Sequence, residues 1–280
     1  MRIVREIEGV RRTVGQARAK GNSIGFFPTL GGMHEGHLSM IRRARADNDF
    51  VVVSIFVNPT QFGVDEDLDA YPRQLEADAG MAEECGGDLV FAPSEAEMYA
   101  ADAATYVEVE GLTDVLCGAY RPGHFRGVTT VVAKLLNIVC PDRAYFGEKD
   151  FQQLLVIRRM ARDLNMPVEI VGCPTVREAD GLAMSSRNTY LSAEQRQAAP
   201  ALYEALTLGA EAVRNGCTAG EAELMVRDYI ENTSVLRVQY ARALHPETLA
   251  EPDYIGPPIL LAVAVFAGDT RLIDNIVIRE

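Results

Sequence analysis

Short apolar runs alternate with helix-like segments through the first two thirds of the chain. The runs predict strands at residues 24–27, 50–57, 88–91, 143–146 and 168–171. The segments between them predict helices at residues 36–46, 75–85, 129–139 and 151–164, the last two with apolar residues at helical spacing. Strands that alternate with helices predict an α/β domain with a mostly parallel sheet.

The pattern changes after about Arg187. Two helix-rich stretches, 193–215 and 219–232, precede strand-like runs at 238–243, 259–267 and 272–278. This order predicts a second, smaller α+β domain, and 280 residues suit two domains of roughly 150 each. We place the domains at 1–183 and 184–280, joined by a hinge-like loop at 184–188.

The segment that follows the first predicted strand carries two histidines. Pro28 ends the apolar run, paired glycines allow a tight turn, and His34 and His37 then share one face at the start of a helix. The N–H groups and dipole of a helix N-terminus favour phosphate oxygens, so we interpret this as a nucleotide site whose imidazoles donate to an α-phosphate. The alternatives are solvent-facing histidines on a capped helix, or zinc, which the i, i+3 spacing disfavours.

Charge and cysteine content limit the possible binding partners and the cellular compartment of the protein. A net charge of −13 argues against nonspecific binding to nucleic acid or anionic membranes, which need a basic face. The five cysteines lack any C-x-x-C pattern, which indicates reduced thiols. The N-terminus has no signal-like apolar region, and the apolar stretch 259–267 is too short to span a bilayer, so we expect a cytoplasmic protein.

Asn58 and Gln61 follow the second predicted strand, where ligands of parallel sheets collect. Side-chain amides both donate and accept hydrogen bonds, so they suit hydroxyl and carboxylate groups of a substrate. The alternative is that Asn58 and Pro59 form a turn that ends the strand.

The acidic residues at 65–69 resemble a calcium loop only in part. Ala70 stands where the turn of such a loop requires glycine, and Pro72 follows. We therefore expect a solvated acidic loop.

Residues 121–127 place Arg121, His124 and Arg126 in a glycine-bearing loop before a helix. Arginine forks bind oxyanions, but they also pair with the many carboxylates of an acidic chain. Both interpretations stay open.

Two more polar clusters follow later in the chain. Lys149 and Asp150 lie at a strand-to-helix corner, where the lysine could neutralise phosphate and the aspartate could hold ribose or a metal-bound water; a surface ion pair is the alternative. Ser185, Ser186 and Arg187 lie in the loop at the predicted domain join, and such loops can close over a triphosphate.

Taken together, these motifs resemble those of the pantoate–β-alanine ligases, the pantothenate synthetase family. The likeness runs from about Ile3 to Asn275, with small departures at Leu30, Gly32 and Phe151. The matching motifs, in chain order, are Pro-Thr-Leu-Gly-Gly-Met-His-Glu-Gly-His, Phe-Val-Asn-Pro-Thr-Gln-Phe, Asp-Leu-Asp-Ala-Tyr-Pro-Arg, Arg-Pro-Gly-His-Phe-Arg-Gly-Val, Tyr-Phe-Gly-Glu-Lys-Asp-Phe-Gln-Gln, Met-Ser-Ser-Arg-Asn and Thr-Arg-Leu-Ile-Asp-Asn.

The resemblance implies a Rossmann-like nucleotidyltransferase domain of the H-x-G-H group, a smaller C-terminal domain that acts as a lid, and a homodimer. It implies that pantoate attacks the α-phosphate of Mg²⁺-ATP, which releases pyrophosphate. The amine of β-alanine then attacks the pantoyl-adenylate to give pantothenate and AMP.

The resemblance also assigns residues. It implies that the catalytic His34 and His37 stabilise the phosphate transition state, with His37 as a proton donor. Lys149 and Arg187 are the natural candidates for the catalytic cations that phosphoryl transfer needs, and we assign no metal-ligating residue. Gln61 and Gln153 would bind pantoate, with Asn58 and Arg121 as further substrate contacts. ATP would be bound by Leu30, Gly31, Gly32, Met33, His34, Glu35, Gly36, His37, Gly147, Glu148, Lys149, Asp150, Val176, Met184, Ser185, Ser186 and Arg187.

Two other classes share part of this pattern. A class I-like aminoacyl-tRNA synthetase core uses H-x-G-H chemistry, but this chain has little room for an anticodon domain and its charge opposes tRNA binding. A nucleotide-sensing module would bind ATP and a small acid without turnover.

Overall fold

The computed structural model describes residues 1–63 and 66–279. Within these ranges the strands are β1 Arg2–Val4, β2 Ile24–Thr29, β3 Phe50–Ile55, β4 Leu89–Phe91, β5 Arg143–Gly147, β6 Glu169–Cys173, β7 Leu236–Leu244, β8 Ile259–Ala267 and β9 Thr270–Ile278. The α-helices are α1 Ile7–Arg18, α2 Glu35–Asp47, α3 Leu75–Glu84, α4 Glu95–Met98, α5 Cys117–Tyr120, α6 His124–Val139, α7 Phe151–Asp163, α8 Ala193–Ala198, α9 Ala201–Arg214 and α10 Ala219–Glu231.

The chain divides into two compact units. The first comprises Met1–Asp114, Gly118–Glu148 and Gln152–Pro174, and the second comprises Val115–Cys117, Lys149–Phe151 and Thr175–Glu280. The main division therefore falls after Pro174, before the boundary of 183 that the sequence predicts. Leu182 explains the difference, because its side chain is buried in the hydrophobic core of the second unit.

The first unit is built on a six-stranded sheet in the order β1-β4-β3-β2-β5-β6, and its strand pairs are parallel. The chain moves from β2 through β3 to β4 on one side, whereas β5 and β6 lie on the other. This reversal makes a topological switch point between β2 and β5, where open α/β sheets bind ligands at the carboxyl ends of their strands. The predicted α/β class is confirmed.

The two neighbours of β2 pair with it over different lengths. The β2–β3 ladder continues to Thr29 opposite Ile55, whereas the β2–β5 ladder joins Gly25 to Arg143 and Phe26 to Ala144. Pro28 follows in β2, and proline has no N–H group to donate to a ladder. The sheet therefore parts between β2 and β5 on the side where both strands end.

The second unit contains the antiparallel sheet β7-β8-β9. Helices α9 and α10 contribute Leu202, Leu206 and Val226 to the same buried core as Ile259 and Val263 of β8. The predicted smaller α+β domain is confirmed.

Several elements differ from the sequence-based expectation. β1 and α1 had no counterpart among the predicted elements, and α6 begins at His124 rather than at residue 129. Gly123 precedes α6 with a φ of 80°, a left-handed conformation that glycine adopts without strain and that lets the helix start earlier. The 3-10 turn Ser186–Tyr190 begins inside the predicted loop at 184–188 and extends two residues beyond it.

Two findings concern the membrane and disulfide expectations. Across residues 1–63 and 66–279, none of the helices is long and apolar enough to cross a membrane. In the same ranges the cysteines form no disulfide.

Candidate active site

His34 and His37 form a reciprocal cap at the start of α2. The Nδ1 atom of His34 accepts a hydrogen bond from the Gly36 backbone N–H at 3.2 Å, and the Nδ1 atom of His37 accepts one from the His34 backbone N–H at 3.4 Å. The two ring centroids lie 4.0 Å apart. The i, i+3 spacing is therefore that of a capping box.

This cap determines the protonation of both rings. An imidazole nitrogen that accepts a hydrogen bond carries no proton, so each neutral ring bears its N–H on Nε2. Both histidines thus have a donor on the side opposite the helix cap, as the nucleotide interpretation requires.

Residues 31–33, the loop before the cap, are held by a carboxylate. Asp78 of α3 is 1% exposed and accepts hydrogen bonds from the backbone N–H groups of Gly32, at 3.0 Å, and Met33, at 2.9 Å. Gly31 donates its own N–H to Thr29 Oγ1 at 3.1 Å. The expectation that the N–H groups of these residues and of Gly36 are unpaired is therefore wrong, whereas phosphate binding at this helix N-terminus stays a prediction.

Asp78 supports the candidate site through this loop, and the sequence reasoning missed it. Gly31 has a φ of 100°, and a Cβ atom there would lie 3.0 Å from Asp78 Oδ2, so the carboxylate requires glycine at this position. A signal was present, since Asp78 occupies an apolar position of the predicted helix beside the buried Ala79 and Ala82.

Other predicted ATP residues of this loop have different surroundings. Met33 is 7% exposed and packs in the core. Glu35 is exposed, and the hydrogen bond from Arg42 lowers its pKa. Leu30 lies half-buried just after β2, and Gly147 and Glu148 lie half-buried where β5 ends.

Asn58 is fully buried and uses its whole amide within the protein. Its Nδ2 donates to Gln61 Oε1 at 3.1 Å and to the Gly127 carbonyl at 3.2 Å. Its Oδ1 accepts from the hydroxyls of Tyr99 at 2.8 Å and Thr60 at 3.0 Å. Burial raises the pKa of Tyr99, so its hydroxyl stays protonated and remains a donor. Asn58 therefore supports Gln61.

The bond from Asn58 fixes the orientation of the Gln61 amide. Because Gln61 Oε1 faces the Asn58 donor, Gln61 Nε2 points away from it. Gln61 is 9% exposed and therefore presents a largely buried donor, which suits a carboxylate or hydroxyl oxygen.

Arg121 and His124 hold the Gln61 backbone. The guanidinium of Arg121 donates a hydrogen bond from Nε to Glu66 Oε1 at 2.6 Å. It also donates to His124 Nε2 at 3.0 Å. His124 Nδ1 in turn donates to the Gln61 carbonyl at 2.8 Å. Burial opposes charge on Glu66, but the hydrogen bond and charge of Arg121 prevail and lower the pKa of Glu66. Of the two interpretations of Arg121, the structure favours pairing within the protein.

The remaining residues of these clusters make other contacts within the protein. Arg126 stacks on the ring of Tyr106, with its Cζ 3.8 Å from the centroid. Gln152 is buried and donates to the Leu112 carbonyl at 2.8 Å, whereas Gln153 is half-buried on α7. Asp65 of the acidic stretch lies outside the described residues.

The second unit contains the predicted cations and the serine loop. The Lys149 side chain is 19% exposed, and its Nζ lies 3.8 Å from Asp150 Oδ2, beyond hydrogen-bond distance. Val176 accepts a hydrogen bond from the Met184 backbone N–H at 3.0 Å. Ser185 caps the turn that contains Ser186 and Arg187, with its Oγ accepting from the Arg187 N–H at 3.3 Å.

Among residues 1–63 and 66–279, no three His, Cys, Asp or Glu side chains come close enough to hold an ion together. Mg²⁺ keeps several waters and commonly binds through substrate phosphates, so its binding does not require such a cluster.

A parallel sheet that carries an H-x-G-H pair at its switch point defines an α/β enzyme of the nucleotidyltransferase type, and comparisons with known proteins specify which. The sequence profile described as pantoate-beta-alanine ligase matches residues 2–277. A pantothenate synthetase of Moorella thermoacetica is 56% identical, with 100% of this chain and 99% of the relative covered.

Solved structures that resemble this chain carry the same family names. The crystal structure of a pantothenate synthetase from Thermus thermophilus matches with a TM-score of 0.95 at 48% identity, covering 100% of both chains. A pantoate-beta-alanine ligase from Francisella tularensis, complexed with beta-gamma ATP and beta-alanine, matches with a TM-score of 0.84 at 34% identity, covering 99% of this chain and 97% of that one.

The chain belongs to the pantoate–β-alanine ligase family. The resemblance seen in the motifs is confirmed, and the protein is an enzyme of the ligase class. Because the chain belongs to this family, we no longer consider an aminoacyl-tRNA synthetase core or a nucleotide-sensing module.

Proposed function

We propose that this ligase works in two steps through an acyl-adenylate. In the first, a carboxylate oxygen of pantoate bonds to the α-phosphorus of ATP, and the bond to the leaving pyrophosphate breaks. In the second, the β-alanine amine bonds to the activated carbonyl, AMP leaves, and the amine loses a proton. The products are pantothenate, AMP and pyrophosphate.

The capped histidine pair is the observation that carries this proposal. Two Nε2–H donors on rings 4.0 Å apart can both stabilise the negative charge that develops on the α-phosphate. Of the two, His37 is the proposed proton donor. Since the cap fixes both tautomers before substrate arrives, the donors need no reorganisation during reaction.

Gln61 is the proposed contact for pantoate. Its Nε2, oriented by Asn58, would donate to the pantoate carboxylate or hydroxyl, and Gln153 would add a second amide. Arg121 acts in this proposal through Gln61, because its guanidinium is engaged by Glu66 and His124.

Lys149 and Arg187 are the proposed cations for the phosphates. Phosphoryl transfer depends mainly on positioning and charge stabilisation, and the long separation of Lys149 from Asp150 leaves its charge incompletely neutralised. Support for ATP comes from the Francisella tularensis relative, which was solved with beta-gamma ATP and beta-alanine. Mg²⁺ would enter as the ATP complex, with the phosphate oxygens as its main ligands.

We also propose a lid, an oligomeric state and a cellular location for this ligase. A lid formed by the C-terminal domain would protect the adenylate from water until the amine arrives. A cytoplasmic homodimer that binds neither nucleic acid nor membrane agrees with the charge of −13 and with the family resemblance.

Pantoate-dependent exchange of label between pyrophosphate and ATP, measured without β-alanine, tests this function. We expect exchange, because adenylate formation is reversible. Absence of exchange, with pantoate and ATP both shown to bind, would contradict an independent adenylation step.

A further inference from the structure

The last strand carries two buried polar residues that the proposed mechanism does not use. Asp274 is 3% exposed and Asn275 is 8% exposed, and both lie in the closing Thr-Arg-Leu-Ile-Asp-Asn motif on β9. Buried polar groups cost stability unless they are hydrogen-bonded, so the partners of these two side chains indicate their purpose.

Asn275 holds the backbone of Lys149. Its Nδ2 donates to the Lys149 carbonyl at 2.9 Å. This contact joins residues 126 positions apart, and it falls within the 3-10 turn Glu148–Asp150. A lysine side chain is long and flexible, so the region its ammonium can reach depends on where its backbone is fixed.

Asp274 holds Arg177 through two hydrogen bonds. Arg177 Nη1 lies 2.6 Å from Asp274 Oδ2, and Arg177 Nη2 lies 3.0 Å from Asp274 Oδ1. The guanidinium also stacks on the Tyr203 ring, with Cζ 3.7 Å from the centroid. Asp274 Oδ1 accepts a further bond from the Asn275 N–H at 2.8 Å, which links the two positions.

Arg177 belongs to a hairpin that we call the 176–184 hairpin. Arg177 pairs with Ala183 across it, and the Met184 N–H donates to the Val176 carbonyl at 3.0 Å. Arg177 also donates to the Gly181 carbonyl at the turn, at 3.0 Å. Fixing Arg177 therefore fixes both ends of the hairpin, Val176 and Met184, which are predicted ATP contacts.

We propose that Asp274 and Asn275 are positioning residues for ATP. Asn275 sets the backbone of Lys149, and Asp274 sets the 176–184 hairpin through Arg177. This inference rests on the proposed roles of Lys149 and of the hairpin ends. It makes β9 a requirement of the adenylation step, beyond any role in lid closure.

Asn275→Ala tests the first half of the proposal. We expect pantoate-dependent exchange to slow about tenfold, the effect of one lost hydrogen bond, with the KM for ATP little changed. Asn137→Ala is the matched control, because it removes an equivalent bond from Asn137 Nδ2 to the Ala133 carbonyl, 2.9 Å, on α6. Equal rates for both variants and wild type would overturn this half.

A double variant separates positioning from general destabilisation. If Asn275 acts through Lys149, adding Asn275→Ala to Lys149→Ala slows exchange little further, since interacting residues are not additive. Effects that multiply would overturn the proposal. Asn275→Asp, which keeps the volume but places an oxygen against the Lys149 carbonyl, gives the same test if the alanine variant fails to fold.

Asp274→Asn tests the second half by calorimetry with ATP alone. We expect about tenfold weaker ATP binding. Glu223→Gln is the matched control, because Glu223 also accepts from an arginine, Arg242 at 3.0 Å, and from a backbone N–H, Ala243 at 2.8 Å. Unchanged ATP affinity in folded Asp274→Asn would overturn this half.

The two readouts also separate this inference from the proposed function. If wild-type protein binds ATP but shows no exchange, the adenylation proposal fails, whereas the calorimetric comparison still decides whether Asp274 positions the ATP residues. If wild-type protein binds no ATP, both fail.

Discussion

The two units hold their candidate binding groups in contrasting ways. In the first, imidazole and amide donors are fixed at the side chain itself, by the helix cap at His34 and His37 and by Asn58 at Gln61. In the second, Lys149 is fixed at its backbone by Asn275, and its ammonium stands 3.8 Å from Asp150.

The difference matches what each group is proposed to do. Neutral donors are directional, so recognising a carboxylate or stabilising a phosphate oxygen requires a fixed orientation. A charge acts over longer distances and in any direction, so a lysine needs its backbone in place and keeps its reach. The predictions below test this division from the largest expected effect to the smallest.

Lys149→Ala should have the largest effect. We expect adenylate formation to slow by ~10²-fold or more, the scale of losing one donor to a developing oxyanion. Single-turnover kinetics with pantoate and ATP measures it, with the exposed Lys20→Ala as control. A rate within threefold of wild type would contradict the role of Lys149.

Asp78→Asn should be next. An amide cannot accept from both Gly32 and Met33 as the carboxylate does, so we expect the free energy of unfolding to fall by about 2 kcal/mol. Denaturant titration measures it, and Asp228→Asn on the exposed face of α10 is the control. We also expect a higher KM for ATP at a temperature where the variant is folded; an unchanged KM would show that the loop does not need this anchor for binding.

Gln61→Ala should weaken pantoate binding about tenfold, the value of one hydrogen bond to a charged partner, while ATP binding is retained. Calorimetry with each ligand measures both, and Gln16→Ala on the exposed face of α1 is the control. Unchanged pantoate affinity would remove Gln61 from the site.

Asn58→Asp sharpens this test without altering Gln61. A carboxylate at this position repels Gln61 Oε1, so the amide should turn and present oxygen to the substrate carboxylate. We expect pantoate affinity to fall by up to the factor expected for Gln61→Ala. Retained affinity would show that Asn58 does not orient the amide.

The smallest expected effect is that of low pH on the ion pair between Arg121 and Glu66. The pKa of Glu66 is lowered, so its ion pair stabilises the fold above the ordinary glutamate value of 4.5 and is lost as pH falls through the lowered pKa. We expect Glu66→Gln to be less stable than wild type by about 1 kcal/mol at neutral pH, with the gap closing in acid. Denaturant titrations from neutral pH downward measure this gap, and a gap that widens in acid would contradict the assignment.

Local sequence pattern predicted most of the fold. Residues 259–267 were predicted as a strand with the bounds that the structure has, and α2, α3 and α7 differ from prediction by a residue or so at their ends. These elements carry strong periodicity or clear turn residues, which act over a few positions. β1 is three residues long, too short to show a period.

The supports of the site could not be predicted in the same way. Asp78 acts 45 residues from Met33, and Asn275 acts 126 residues from Lys149. Such partners depend on the tertiary fold, and although Asp78 stands out as an acid at an apolar helix position, its local pattern does not say which backbone groups it bonds. The sequence motifs single out His34, His37 and Gln61 as candidates, which stay predictions, but the roles assigned to Asn58 and Arg121 needed their hydrogen-bond partners.

Pro28 gives the parted sheet a further significance. The separation of β2 from β5 begins beside Pro28, whose ring nitrogen carries no N–H group to donate. It therefore depends neither on the movement of a side chain nor on a ligand that separates the strands. The separation is thus present once the chain has folded, and a nucleotide bound there, as proposed, would not have to separate the two strands. Affinity gained at this end of the sheet need not be diminished by the work of separating two strands.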